Sequence, residues 1–158
     1  MSYLLDTNIF IRSKNEMPMD IFQGFWQRLS ELAQNGEIYS SIKVKEEIDK
    51  GNDELKQWCN ERLPRDFFLP FEAYVEYANL MTWANNNPVF SVPAKQEFAI
   101  VADAYLVATA AATGMKVVTF ETADPNCKKR VKIPDACIAL GVEYCSLNDL
   151  LHALDVVI

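Results

Sequence analysis

The chain has 158 residues, half of them apolar, which is enough to bury one real core and excludes a disordered tail or a mini-protein held by staples. Fifteen basic residues against 22 acidic ones leave a net charge of −7, which argues against an electrostatic grip on nucleic acid spread over the whole surface. The four cysteines form no CxxC pair, and with a single histidine, His152, a Cys/His zinc site would consume most of them, so reduced thiols in a cytoplasmic protein are expected.

In chain order, Tyr3-Leu4-Leu5 reads as a strand closed by Asp6-Thr7-Asn8, residue types that end a strand and cap a following helix. Ile21, Phe22, Phe25, Trp26, Leu29, Leu32 and Ala33 recur at helical spacing and stop at Asn35-Gly36, which predicts an amphipathic helix from Asp20 to Gln34. Ile38-Tyr39 is a second strand, and Ser40-Ser41 caps a helix carrying Ile42, Val44 and Ile48 that ends at Gly51. Asn52 starts a short helix through Leu55, Trp58 and Cys59; Phe67-Phe68-Leu69 is a third strand, and a helix presenting Ala73, Tyr74, Tyr77, Leu80, Met81 and Ala84 follows. After Pro93 one helical pattern runs to Gly114, and Val117 to Phe120 is a buried strand. Val131 to Ile133 reads as a short extended piece, Pro134 to Leu140 as a helical turn, Val142 to Cys145 as the last strand, and Ser146 as the cap of a helix from Leu147 to Leu154.

Strands alternating with helices, without repeat or linker, predict one α/β domain over residues 1–158 with a mostly parallel sheet. The longest uncharged apolar stretch, Ala104 to Met115, is too short to cross a bilayer, and the N-terminus lacks a basic segment before an apolar one. A soluble, unexported protein with no membrane association is the expectation.

In such sheets ligands bind beyond the carboxyl ends of the strands. Acids cluster at those positions here: Asp6 after the first strand, Glu46 and Glu47 in the helix after the second, Glu121 and Asp124 after the strand ending at Phe120. Asp103 interrupts an apolar run, where a carboxylate must be capped, paired or metal-bound to offset its desolvation. Each also has a plain structural use, as a helix cap, a solvated helix acid or a loop acid. Brought to one sheet edge, they would repel one another unless a cation sat among them, and an all-oxygen donor set favours Mg²⁺ or Mn²⁺. Ions of that kind suit phosphodiester hydrolysis, since they activate a water and neutralise developing charge. Lys128, Lys129, Arg130 and Lys132 place +4 within five residues, leaving −11 elsewhere. That tract suits either a nucleic-acid backbone or an acidic protein tail.

The strand with Asp6-Thr7-Asn8, the helix SSIKVKEEI with Glu47, the stretch Ala102-Asp103-Ala104-Tyr105-Leu106-Val107-Ala108-Thr109-Ala110 and Val117-Val118-Thr119-Phe120-Glu121 resemble, in order and spacing, the four acidic motifs of PIN domains. The segment Lys132-Ile133-Pro134-Asp135-Ala136-Cys137 is similar to the PIN-like DUF4411 group. The resemblance implies a three-layer α/β/α PIN-like fold, a Mg²⁺- or Mn²⁺-dependent ribonuclease activity, service as the toxin of a toxin–antitoxin pair with an antitoxin protein as partner, and a homodimer. Position by position it makes Asp6, Glu47, Asp103 and Glu121 the catalytic, metal-holding acids, with Asn8 and Thr119 as polar neighbours. Many PIN domains have T-x-D where this chain has Thr119-Phe120-Glu121, so the fourth role falls to Glu121 directly, to Glu121 through water, or to Asp124. Lys128, Lys129 and Arg130 would position RNA. Trp83, Phe90 and Val92 are apolar residues free either to line a dimer contact or to fill the core. Two other classes compete: a PIN-like binding module with weakened catalysis, and a phosphotransferase using Asp6 as phosphate acceptor, although Asp6-Thr7-Asn8 lacks a second aspartate two residues on.

Overall fold

Tyr3–Leu5 forms the first strand, β1, in the computed structural model, which describes residues 1–158. The remaining strands are β2 (Ile38–Ser41), β3 (Phe68–Leu69), β4 (Lys116–Val118) and β5 (Tyr144–Cys145). The helices are α1 (Thr7–Glu16), α2 (Gln23–Gln34), α3 (Ile42–Gly51), α4 (Glu54–Arg62), α5 (Tyr74–Asn86), α6 (Val92–Phe98), α7 (Ala102–Thr113), α8 (Ile133–Leu140) and α9 (Leu147–Ala153). All strand pairs are parallel and lie in the order β3-β2-β1-β4-β5, with Leu4 opposite Tyr39 on one side and Val117 on the other. Helices cover the sheet to give three α/β/α layers, because short strands buried on both sides need cover on both. β1 and α7 are the most enclosed elements: Leu4, Leu5, Ala104, Val107 and Ala108 have no exposed surface. The alanines of α7 let it approach β2, β4, α3, α5 and α8 closely.

Several boundaries differ from expectation for visible reasons. The helix predicted from Asp20 begins at Gln23, because the Ile21 and Phe22 amides both turn back to the Pro18 carbonyl. Asp53, not Asn52, caps α4; Asn52 sits at φ 45° and closes α3 instead. Val131 to Ile133 is not a strand: Lys132 is the extended residue before α8 and Ile133 is already helical. Phe90 packs edge-on against Trp83 at 5.5 Å and belongs to the core, while Val92 stays exposed.

The largest difference lies after Pro93. The expected single helix is two, α6 and α7, separated by Ala99 to Val101. The Ala99 carbonyl accepts the Tyr77 hydroxyl at 2.6 Å and the Tyr105 hydroxyl at 3.4 Å, and Val101 turns extended so that α7 starts afresh at Ala102. That restart puts Asp103 in the first turn of a helix, where amide dipoles favour negative charge. At its other end α7 closes on Gly114 at φ +76°, a conformation that glycine adopts without strain.

Three of the four cysteines are buried. Burial pushes the Cys59 and Cys137 thiols up to about 12 and raises that of Cys145, while Cys127 sits half-buried in the loop before α8. No helix is long and apolar enough to cross a membrane.

Candidate active site

β2 and β3 lie to one side of β1 and β4 and β5 to the other, so the sequence order reverses between β1 and β4. The carboxyl ends of those two strands flank a crevice. Asp6 is the first residue beyond β1, its amide tied to the Val118 carbonyl of β4 at 3.1 Å. It caps α1: Oδ1 accepts the Asn8 amide at 2.7 Å and Oδ2 accepts the Thr119 hydroxyl at 2.8 Å. Its capping role therefore holds the carboxylate at the crevice itself. With 2% of its surface exposed, Asp6 is pushed up to about 6, chiefly by desolvation and further by Glu121, while its two hydrogen bonds and Arg130 pull the other way.

Asp103 enters from the first turn of α7. Burial, then the charges of Asp6 and Glu121, push it up to about 7 against the opposing pull of Arg130. Glu121 follows β4, where the Glu121 amide donates to the Thr119 hydroxyl at 3.1 Å; its Oε1 accepts the Ile133 amide at 3.3 Å and its Oε2 the Arg130 guanidinium at 3.0 Å. Arg130 Nη2 also reaches Asp103 Oδ2 at 3.3 Å. Partial burial works against the guanidinium charge, but Glu121, Asp103 and Asp6 outweigh it and hold Arg130 above its ordinary pKa. Asp103 and Glu121 thus share one arginine, and Asp6, from a third segment, lies near enough to feel the charges of Glu121 and Arg130.

Glu47 is placed differently. Its Oε1 accepts the Thr7 hydroxyl at 2.6 Å and its Oε2 the Ala102 amide at 3.3 Å, so from α3 it bridges the starts of α1 and α7. Both oxygens face hydrogen-bond donors, and the side chain lies at the rim of the acidic group, holding the backbone that carries Asp103. Thr7 was not singled out from the sequence; a polar residue following the acid of a strand end was its one signal.

Of the remaining expected residues, Thr119 is buried and bonds Asp6, while the Asn8 side chain is exposed and contributes only its amide. Asp124 turns outward, its amide donating to Asp135 Oδ2 at 2.9 Å, so Glu121 and not Asp124 faces the cleft. Asp135, buried at the start of α8, thereby fixes the loop; its burial had no local signature. Lys128 and Lys129 are exposed, and the Lys128 carbonyl accepts the Ser91 amide at 2.9 Å. Arg130 departs from the basic tract expected for it: it turns into the acids and does not stand free beside the lysines.

Residues 3–158 match the family model described as "Domain of unknown function (DUF4411)". The chain belongs to the DUF4411 family. Among solved structures, this DUF4411 chain is similar to VapBC2 from Rickettsia felis bound to a promoter DNA fragment, with TM-score 0.57 and 19% identity over 92% of this chain and 98% of that one. It is also similar to FitAB bound to the IR36 DNA fragment, with TM-score 0.53 and 22% identity over 91% and 94%. These likenesses fix the fold of the DUF4411 chain as PIN-like. No curated protein matches it.

Proposed function

We infer that this DUF4411 chain is a divalent-metal-dependent endoribonuclease, the toxin of a toxin–antitoxin pair. The observation that carries this reading is that Asp6, buried, and Asp103 and Glu121, partly buried, lie near one another at the sheet's switch point with one arginine among three acids. The donor set fits Mg²⁺ or Mn²⁺: it is all oxygen, and Asp103 Oδ1 is the one oxygen of the four acids that accepts no hydrogen bond. Asp6, Asp103 and Glu121 would hold the ion. When bound it supplies Lewis-acid activation of water and neutralises charge on the phosphate.

The chain's own residues do the rest. Thr119 and the Asn8 amide fix the Asp6 carboxylate so that it cannot rotate away from the cleft. Glu47 sets the start of α7 and with it the Asp103 side chain. Exposed Lys128 and Lys129 stand on the loop that carries Arg130, where they meet an RNA backbone as point charges. The two neighbours are named as VapBC2 and FitAB, each bound to DNA, which supports a partner chain for this protein as well. An acidic antitoxin tail and a homodimer, in a cytoplasmic setting, belong to the same proposal. A phosphotransferase role is disfavoured, because Asp6-Thr7-Asn8 places an asparagine, not a second aspartate, two residues beyond Asp6, and that Asn8 is exposed and gives the carboxylate only its amide.

Arg130, by neutralising two of the acids, gives the binding-module alternative its one specific support. Incubation of the purified chain with labelled single-stranded RNA decides between them. Cleavage with Mg²⁺ or Mn²⁺, lost with chelator and lost by at least a hundredfold in Asp6→Asn and Asp103→Asn, is the expected result. Cleavage that persists in both variants, or none by the wild type, overturns the nuclease.

A further inference from the structure

Arg130 stands where the chemistry of the cleft calls for a cation. Its loop is fastened to the body by the Asp124 amide on Asp135, the Ser91 amide on the Lys128 carbonyl and buried Val131, so the side chain is delivered to the acids by its backbone rather than by chance of a free tether. One nitrogen, Nη2, touches both Asp103 and Glu121, while Nε and Nη1 make no hydrogen bond within the protein. The side chain is 41% exposed, against 14% and 9% for the two acids it joins. An end-on contact through a single nitrogen lacks the two parallel bonds of a forked arginine–carboxylate pair, and a half-exposed side chain has a solvent side to leave by. No three acids close around one point as they stand, and the group between two of them is this guanidinium.

We propose that Arg130 is a tethered counter-cation that holds the divalent position of the acidic cleft, and that a divalent ion binds by exchanging with it. The proposal rests on the metal-dependent reading above and adds a competitor built into the chain. Without an ion, Arg130 spares Asp103 and Glu121 a buried, unpaired charge, which keeps the cleft assembled. Once the ion takes their oxygens, the guanidinium is released toward solvent at the cleft mouth. Lys128 and Lys129, exposed on the same loop and unpaired with any acid, take no part in this exchange.

Mn²⁺ binding, followed by loss of the free-ion electron paramagnetic resonance signal, tests the exchange without reference to cleavage. Arg130→Gln should bind Mn²⁺ roughly tenfold more tightly than wild type, the scale on which one neighbouring charge shifts a site. Arg130→Lys, which keeps the charge, should stay within about threefold of wild type, as should Lys129→Gln. In the wild type, titration with Mg²⁺ should shift the Arg130 side-chain Nε–Hε nuclear magnetic resonance signal, assigned by its absence in the charge-keeping Arg130→Lys; the titration itself is made on the unaltered chain. Equal affinity in Arg130→Gln, weaker affinity with an unchanged far-ultraviolet circular dichroism spectrum, or an Nε–Hε signal indifferent to Mg²⁺ overturns the proposal. Binding by the wild type with any of those outcomes leaves the metal-dependent reading intact, whereas no binding by any form removes both.

Discussion

Asp6 and Asp103 are costly residues for the ion-free fold, since both are buried and both are pushed toward neutrality. Their pKa values rise from 3.8 to about 6 and about 7, so between those limits the folded chain binds more protons than the unfolded one. Stability of the ion-free protein therefore falls as pH rises: the advantage is full below about pH 4 and gone above about pH 7. Urea unfolding in chelator should show a loss on the order of 2–4 kcal/mol between pH 5 and pH 8, and Asp103→Asn should remove roughly two-thirds of that decline. Added Mn²⁺ should flatten the curve at the alkaline end, where the carboxylates are free to accept it. A pH-independent stability in the ion-free wild type would mean that the two groups are far better solvated than their burial indicates.

At the scale of elements, the restart of α7 is what the site depends on, and Glu47 is its support. Removing the carboxylate in Glu47→Ala leaves the Ala102 amide and the Thr7 hydroxyl without their partner, which should cost about 1–2 kcal/mol in urea unfolding. Thr7→Val, which removes one of the two bonds, should cost about half as much, and the double variant should cost less than the sum because both changes break the same bridge. Additive losses would show that Thr7 and Glu47 act separately. The acids themselves were legible in the sequence because each stands beside a strand end or inside an apolar run, places where a carboxylate is conspicuous. The break before α7 was not: Phe98 to Ala104 contains neither proline nor glycine, and it is made by the Tyr77 hydroxyl and the Glu47 carboxylate, which arrive from elements far away in the chain. The inward turn of Arg130 is hidden in the sequence for the same reason. Within the sequence Arg130 is one of four neighbouring cations, and only the packing of its loop against Ser91 and Asp135 turns it inward.

Over the whole molecule the net charge of −7 leaves little cationic surface for a polyanion, and with Arg130 engaged the exposed tract shrinks to Lys128 and Lys129, with half-buried Lys132 beside them. In the ion-free protein, three phosphate contacts set a ceiling of about −2 on the slope of log affinity for single-stranded RNA against log salt. Replacing Lys128 and Lys129 together by Ala should flatten that slope by about 1.4, measured by fluorescence anisotropy in chelator. A slope unchanged in the double variant would assign the lysines to the partner protein. The parallel sheet itself is indifferent to these substitutions, since both lysines lie outside every helix and strand.

The uneven burial of the cysteines makes the protein its own reporter. Cys59, Cys137 and Cys145 are shielded and their thiols are held away from the thiolate form, whereas Cys127 lies partly open on the loop that delivers Arg130. Maleimide at neutral pH should therefore attach one dye per chain, at Cys127, with mass spectrometry locating it and Cys127→Ser abolishing it. A fluorophore so placed sits three residues from the arginine, and its emission would follow the loop as ions, RNA or a partner reach the cleft, with no mutation needed to install it.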